Sequence, residues 1–230
     1  MKRFWKAVAT VPGDAGWTIE LDGRPIKTQA RAPLQVPAEP LAAAIAAEWN
    51  AVDQEVDPRT MPLTGLANAA IDRIAPAKAA FAANIAKYAE ADLACYRAEG
   101  PTALVERQAA SWDNLLAWAR RRYDVDFATT QGIVHVTQPP ATIERLAHAV
   151  ATVDSFRLAG LASIVTIGGS LIAGLAVLEG ALSAGEAWAA VSIDDAWQAE
   201  QWGADAEAAL ESRRGDLPAF LPPRPTRLTL

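Results

Sequence analysis

The sequence predicts an α+β protein. It divides into a small β-rich N-terminal domain with one helix (residues 1–60), a larger all-helical C-terminal domain (61–214) and a Pro-rich extended tail (215–230). Two observations carry this reading. Up to Pro37 the apolar residues alternate with a period of two, and after it they recur every three or four positions. The composition agrees: 51% of the residues are hydrophobic, yet mean hydropathy is only +0.07, and much of the apolar fraction is alanine, the strongest helix former.

The strands come first. Phe4 to Val11 and Trp17 to Leu21 are rich in β-branched and aromatic residues, and Asp22-Gly23 is a hairpin turn leading into Arg24 to Thr28. Trp17, Ile19 and Leu21 alternate with Thr18 and Glu20, so one face of that strand is buried. Pro33 to Pro37 is a short extended piece that its prolines hold to an edge.

Helical spacing then takes over. Leu41, Ile45, Trp49 and Val52 define a first helix face, with Pro40 tolerated in its opening turn. Leu63, Leu66, Ala67, Ala70, Ile71 and Ile74 form a second stripe, expected to end near Pro76. A third runs Phe81, Ile85, Tyr88, Asp92. A fourth runs Trp112, Leu115, Leu116, Ala119, Tyr123. Asp92 on that apolar face either pairs with Arg97 or Arg107, or lies at the stripe's solvated edge. Residues 123–140 connect, with strand character at Ile133 to Val136, before helical spacing resumes at Ile143, Leu146, Ala147 and Val150. Asp154 or Ser155 caps the next helix.

Leu158 to Leu178 runs 21 residues without a charge, long enough to span a bilayer. Gly168-Gly169 breaks it in the middle, Ser163, Thr166 and Ser170 interleave, and Arg157 and Glu179 abut its ends. Two short buried helices hinged at the glycines are therefore expected, with no membrane insertion. Ser183-Ala184-Gly185-Glu186 has capping-box spacing for the following helix. The last helix is expected to reach about Arg213.

With 21 basic against 27 acidic residues, the chain carries net −6 and has no basic cluster longer than Arg120-Arg121-Arg122. That argues against nucleic acid and anionic membranes as partners. The single cysteine, Cys95, excludes an internal disulfide and a thiol metal cluster. Lys6 interrupts the N-terminal apolar run, and no secretory or organellar leader is recognised, so a cytoplasmic location is expected.

Catalytic signals are weak. Cys95 has ordinary helix-packing neighbours, His135 and His148 sit in no motif, and Gly168-Gly169-Ser170 lacks a phosphate loop's lysine and glycine spacing. No His or Cys spacing suits a metal. Neither cofactor nor catalytic residue is expected. The enzymatic alternative is a hydrolase using carboxylates of the 194–205 acidic box, which requires two of them to face each other across a cleft.

That box, Ile193 to Asp205, holds two tryptophans and four carboxylates. At about 100° per residue, Asp195, Gln198, Trp202 and Asp205 share one stripe, and Trp197, Glu200, Gln201 and Ala204 share another. Either the indoles are core and the carboxylates solvated, or a stripe is a recognition surface, because interfaces concentrate aromatic anchors.

Several segments together resemble one family. They are F-W-K at Phe4, L-D-G-R-P-I-K-T at Leu21, A-E-W at Ala47, M-P-L-T at Met61 and Y-A-E-A-D-L-A-C-Y-R-A-E at Tyr88. E-R-Q at Glu106, W-D at Trp112, Q-P at Gln138 and D-D-A-W-Q-A-E-Q-W-G-A-D at Asp194 complete the set. In this order they are similar to the assembly chaperones that bind the alpha subunit of the F1 sector of ATP synthase, found in mitochondria and alpha-proteobacteria. The resemblance implies a non-catalytic, ATP-independent chaperone, here of alpha-proteobacterial type. It would hold the unassembled alpha subunit and shield its interface until the beta subunit replaces it. It places the family's acidic position at Glu200, around which Asp194, Asp195, Gln201 and Asp205 complete the expected partner-binding set. Trp197 and Trp202 are expected to anchor the helix against the buried pair spanning Leu158 to Leu178, and the protein is expected to be a monomer.

Overall fold

The computed structural model describes residues 1–203 and Ala208. The expected tail, the last helix beyond Gly203, and Asp205 lie outside the described residues. Chain contacts divide the described part into two compact units, one of residues 1–78 and 154–160, the other of residues 79–153 and 161 onward.

The first unit is built on a four-stranded sheet. Its central strand, β2 (Gly16–Leu21), pairs antiparallel with β1 (Val8–Gly13), β3 (Arg24–Pro25) and β4 (Gln35–Val36). Ile19 and Leu21 are buried, as the alternation predicts. Asp22 and Gly23 both have positive φ, 49° and 76°, the two-residue turn that suits strand twist. The Asp22 carboxylate also accepts the backbone N–H groups of Lys6 and Ala7, tying the N-terminal segment to the turn. Gly16, at φ +129°, has no room for a side chain: a Cβ there would lie 2.3 Å from the Val36 carbonyl oxygen.

Helix α1 (Glu39–Ala51) lays Leu41, Ile45 and Trp49 onto this sheet. Helix α2 (Pro62–Ala69) packs on α1, and Glu48 fixes the join. The Glu48 carboxylate accepts the N–H groups of Leu63 (2.7 Å) and Thr64 (2.8 Å) and the Thr64 hydroxyl (2.7 Å), satisfying amides at the start of α2. This first part of the unit runs to Lys78. The apolar stripe does not end at Pro76. A π turn (Ala70–Ile74) and a 3-10 turn (Ala75–Ala77) carry the chain on, with Pro76 at a first-turn position where its missing N–H costs little.

The second unit is helical. It comprises α3 (Lys78–Ala86), β5 (Tyr96–Arg97), α4 (Thr102–Tyr123), β6 (Thr130–Gln131), α5 (Pro140–Ala151), α6 (Ser155–Gly168), α7 (Leu171–Leu178), α8 (Ala184–Val191) and α9 (Ile193–Trp202). The first residues of α3 and α6 belong to the other unit. Helix α4 is the hub, packing against α7, α8 and α9. Trp112, Leu115, Leu116 and Ala119 on it are buried.

The uncharged stretch is two helices that break at Gly169 (φ +70°), and no helix among the described residues is long and apolar enough to cross a membrane. Within the second unit α6 and α7 pack closely: a Cβ on Gly174 would come within 2.8 Å of Val165 Cγ2 and 2.9 Å of Leu161 Cδ1. Asp154 caps α6 by accepting the N–H groups of Phe156 and Arg157, and Ser183 with Glu186 forms the expected capping box on α8. Strand character falls at Thr130–Gln131, parallel to β5, and not at Ile133 to Val136; Ile133 is 99% exposed. β-branched content alone does not make a strand.

Asp92 takes neither arginine and is not solvated. It is fully buried and receives the Ser170 hydroxyl (2.8 Å) and the N–H groups of Ile172 (3.0 Å) and Ala94 (3.1 Å). It thus sits at the N-terminus of α7, where the helix dipole and free amides favour an anion. Burial pushes its carboxyl pKa up, opposed by these hydrogen bonds.

Candidate partner-binding site

The described part of the acidic box folds as α9, and its main packing partners are α4 and α8. The join is made by polar side chains of α4. The Trp112 indole N–H donates to the Ala190 carbonyl (2.7 Å) at the end of α8. Gln108, 1% exposed, accepts the Ala98 N–H through Oε1 (2.8 Å) and donates from Nε2 to Asp194 Oδ1 (2.6 Å). A buried amide is satisfied on both ends, and the start of α9 is fixed to α4.

One residue earlier on α4, Arg107 reaches the other end of α9. Its guanidinium donates to both Glu200 oxygens, at 2.6 and 3.1 Å, and lies 5.1 Å from the centroid of the Trp197 ring. Glu200 is in the last turn of α9, where a negative charge opposes the helix dipole, and Arg107 compensates it. The hydrogen bonds from Arg107 hold the Glu200 carboxyl below its usual pKa, and those to Glu200 raise that of Arg107. Both side chains remain accessible, 41% for Arg107 and 51% for Glu200. Arg107, Glu200 and Trp197 form a charged, stacked ridge on the surface.

The expected site residues therefore separate. Asp194 is turned inward to Gln108. Asp195 and Trp197 are half-buried, and Glu200 and Gln201 are exposed. Trp202 is no anchor: it is 74% exposed. Trp197 is held under a guanidinium rather than in a core. The sequence-level set omitted Arg107 and Gln108, though both lie in the E-R-Q segment that contributed to the resemblance.

Among the described residues Glu200 faces a guanidinium, not the second carboxylate across a cleft that the hydrolase alternative requires. Cys95 is fully buried, and burial together with nearby Asp92 pushes its thiol pKa up to about 12, so little nucleophilic thiolate forms near neutral pH.

Comparison with known proteins adds to this geometry. The family model described as ATP12 chaperone protein matches residues 2–120. Protein atp12, mitochondrial, of Schizosaccharomyces pombe is 27% identical over 214 residues, covering 88% of this chain and 74% of that one. The crystal structure of Atp12 from Paracoccus denitrificans is similar at 43% identity and a TM-score of 0.88, over 94% of both chains. The Atu1473 protein of Agrobacterium tumefaciens matches at 40% identity and a TM-score of 0.88, over 94% of this chain and 81% of that one.

Proposed function

The chain belongs to the ATP12 chaperone family, and from that premise we propose that it is an ATP-independent chaperone of ATP synthase assembly that holds the unassembled F1 alpha subunit. It shields the surface that the beta subunit later covers, and acts as a cytoplasmic monomer. The observation that carries this reading is the exposed end of α9, where Trp202 stands 74% exposed near Gln201 and the accessible Glu200–Arg107 pair. An indole of this size left in water is the kind of group that anchors an interface, and covering it contributes on the order of 3 kcal/mol. The flanking charges supply specificity and exchangeable contacts. A few such anchors give binding tight enough to keep an aggregation-prone ring subunit soluble and weak enough to be displaced.

The test is capture of the purified alpha subunit, with and without ATP, by the wild-type chain and by folded Glu200→Lys and Trp202→Ala variants. Capture by wild type without nucleotide, lost in both variants and released by added beta subunit, is the expected result. Normal capture by both variants would remove the end of α9 from the site, and failure of the wild type to capture would remove the alpha subunit as client.

A further inference from the structure

In the second unit, α4, the C-terminal end of α7, α8 and the first half of α9 enclose an open groove of about 790 Å³. Ten of its fifteen lining residues are apolar, Leu115, Ala176, Ala190 and Ile193 among them, and five are polar or charged. Ala110 on α4 and Ala189 on α8 are exposed, and each presents only a methyl group to the opening. This volume, lined by helices and with no strand edge, suits the apolar face of a helix rather than an added strand.

The α8–α9 wall of the groove is acidic. From Ala184 to Trp202, α8 and α9 carry Glu186, Asp194, Asp195 and Glu200 and no lysine or arginine. Arg107 is the cation that lines the groove, and Glu200 already pairs with it. Asp194 is taken up by Gln108 and Glu200 by Arg107, but the wall stays net negative, so complementary charge on an occupant is lysine or arginine.

We propose that this groove seats an amphipathic helix of the client F1 subunit, with its apolar face against Leu115 and Ile193 and its basic flank along α8 and α9. The assignment rests on the reading of the protein as an F1 alpha-subunit chaperone. It adds a second contact area continuous with the Arg107–Glu200 ridge through the shared residue Arg107.

The test fills the groove without removing any interaction. Ala110→Trp and Ala189→Trp are made separately, their folding is checked by circular dichroism and melting, and capture of purified F1 alpha subunit is measured. A photocrosslinker placed at position 189 through Ala189→Cys maps what lies there. The expected result is at least a tenfold loss of capture in both variants, with crosslinks to a Lys- or Arg-bearing helix of the alpha subunit. Wild-type capture by both folded variants, while Glu200→Lys loses it, would overturn the groove assignment and leave the chaperone reading standing. Failure of the wild type to capture would instead defeat the chaperone reading. Crosslinks to a second copy of the chain, to its own residues 204–230, or to an acidic or extended client segment would also overturn the assignment.

Discussion

Glu200, near the end of α9, and Arg107, near the start of α4, are 93 residues apart in sequence and joined by two hydrogen bonds of 2.6 and 3.1 Å. The pair is exposed, so water screens it and it matters little to stability. Exchanging the charges with Arg107→Glu and Glu200→Lys together should restore the melting behaviour of the wild type but not capture of the client. Restored capture in a pull-down would show that Glu200 only positions α9.

Hydrogen bonds from Arg107 depress the Glu200 pKa below its usual value of 4.5. A depressed carboxyl pKa means that the contribution of this pair is fully present above pH 4.5 and is lost only as pH falls through the lowered value. A carboxyl-resolved NMR titration should find Glu200 with its midpoint below 4.5, and Arg107→Ala should return it toward 4.5.

Asp92 titrates with the opposite sign. Burial raises its folded pKa above the ordinary 3.8. Its stabilising contribution is therefore fully present below pH 3.8 and declines as pH rises through the raised value. Asp92→Asn sets an amide against the donors of Ser170, Ile172 and Ala94 and should cost about 2 kcal/mol. Denaturant unfolding across pH 4 to 7 should show that penalty shrinking as pH rises.

Trp112 ties α4 to the end of α8 through its indole N–H, buried at 2.7 Å from the Ala190 carbonyl. Trp112→Phe leaves that carbonyl without its donor and opens a small void, and should cost about 2–3 kcal/mol in urea unfolding.

Two glycines separate strain from crowding. Gly169→Ala meets only Leu93 Cβ at 3.9 Å, so its cost is that of the left-handed backbone, about 1 kcal/mol. Gly174→Ala has an ordinary φ but meets Val165 and Leu161 at 2.8 and 2.9 Å, and should cost about 1–3 kcal/mol through overpacking. Thermal melts of the two variants, with Gly174→Ala melting lower, check the distinction.

Much of this molecule was legible as pattern. The change of period at Pro37, the Asp22-Gly23 turn, the break at Gly168-Gly169 and the Ser183–Glu186 capping box are local, because turns, caps and amphipathic faces are set by residues within a few positions of one another. The ordered segments from Phe4 to the acidic box pointed to the family in the same way. A helical wheel groups the residues of α9 into stripes but does not say which stripe meets a neighbour. Packing on α4 and α8 turned Asp194 toward Gln108, and Trp202 stands in solvent. Packing also gave Asp92 partners 78 and 80 residues away, and brought Arg107 over Trp197 and against Glu200. Local spacing fixes where helices and turns begin and end; which side chains complete one another depends on how distant elements dock, and only the tertiary structure decides that.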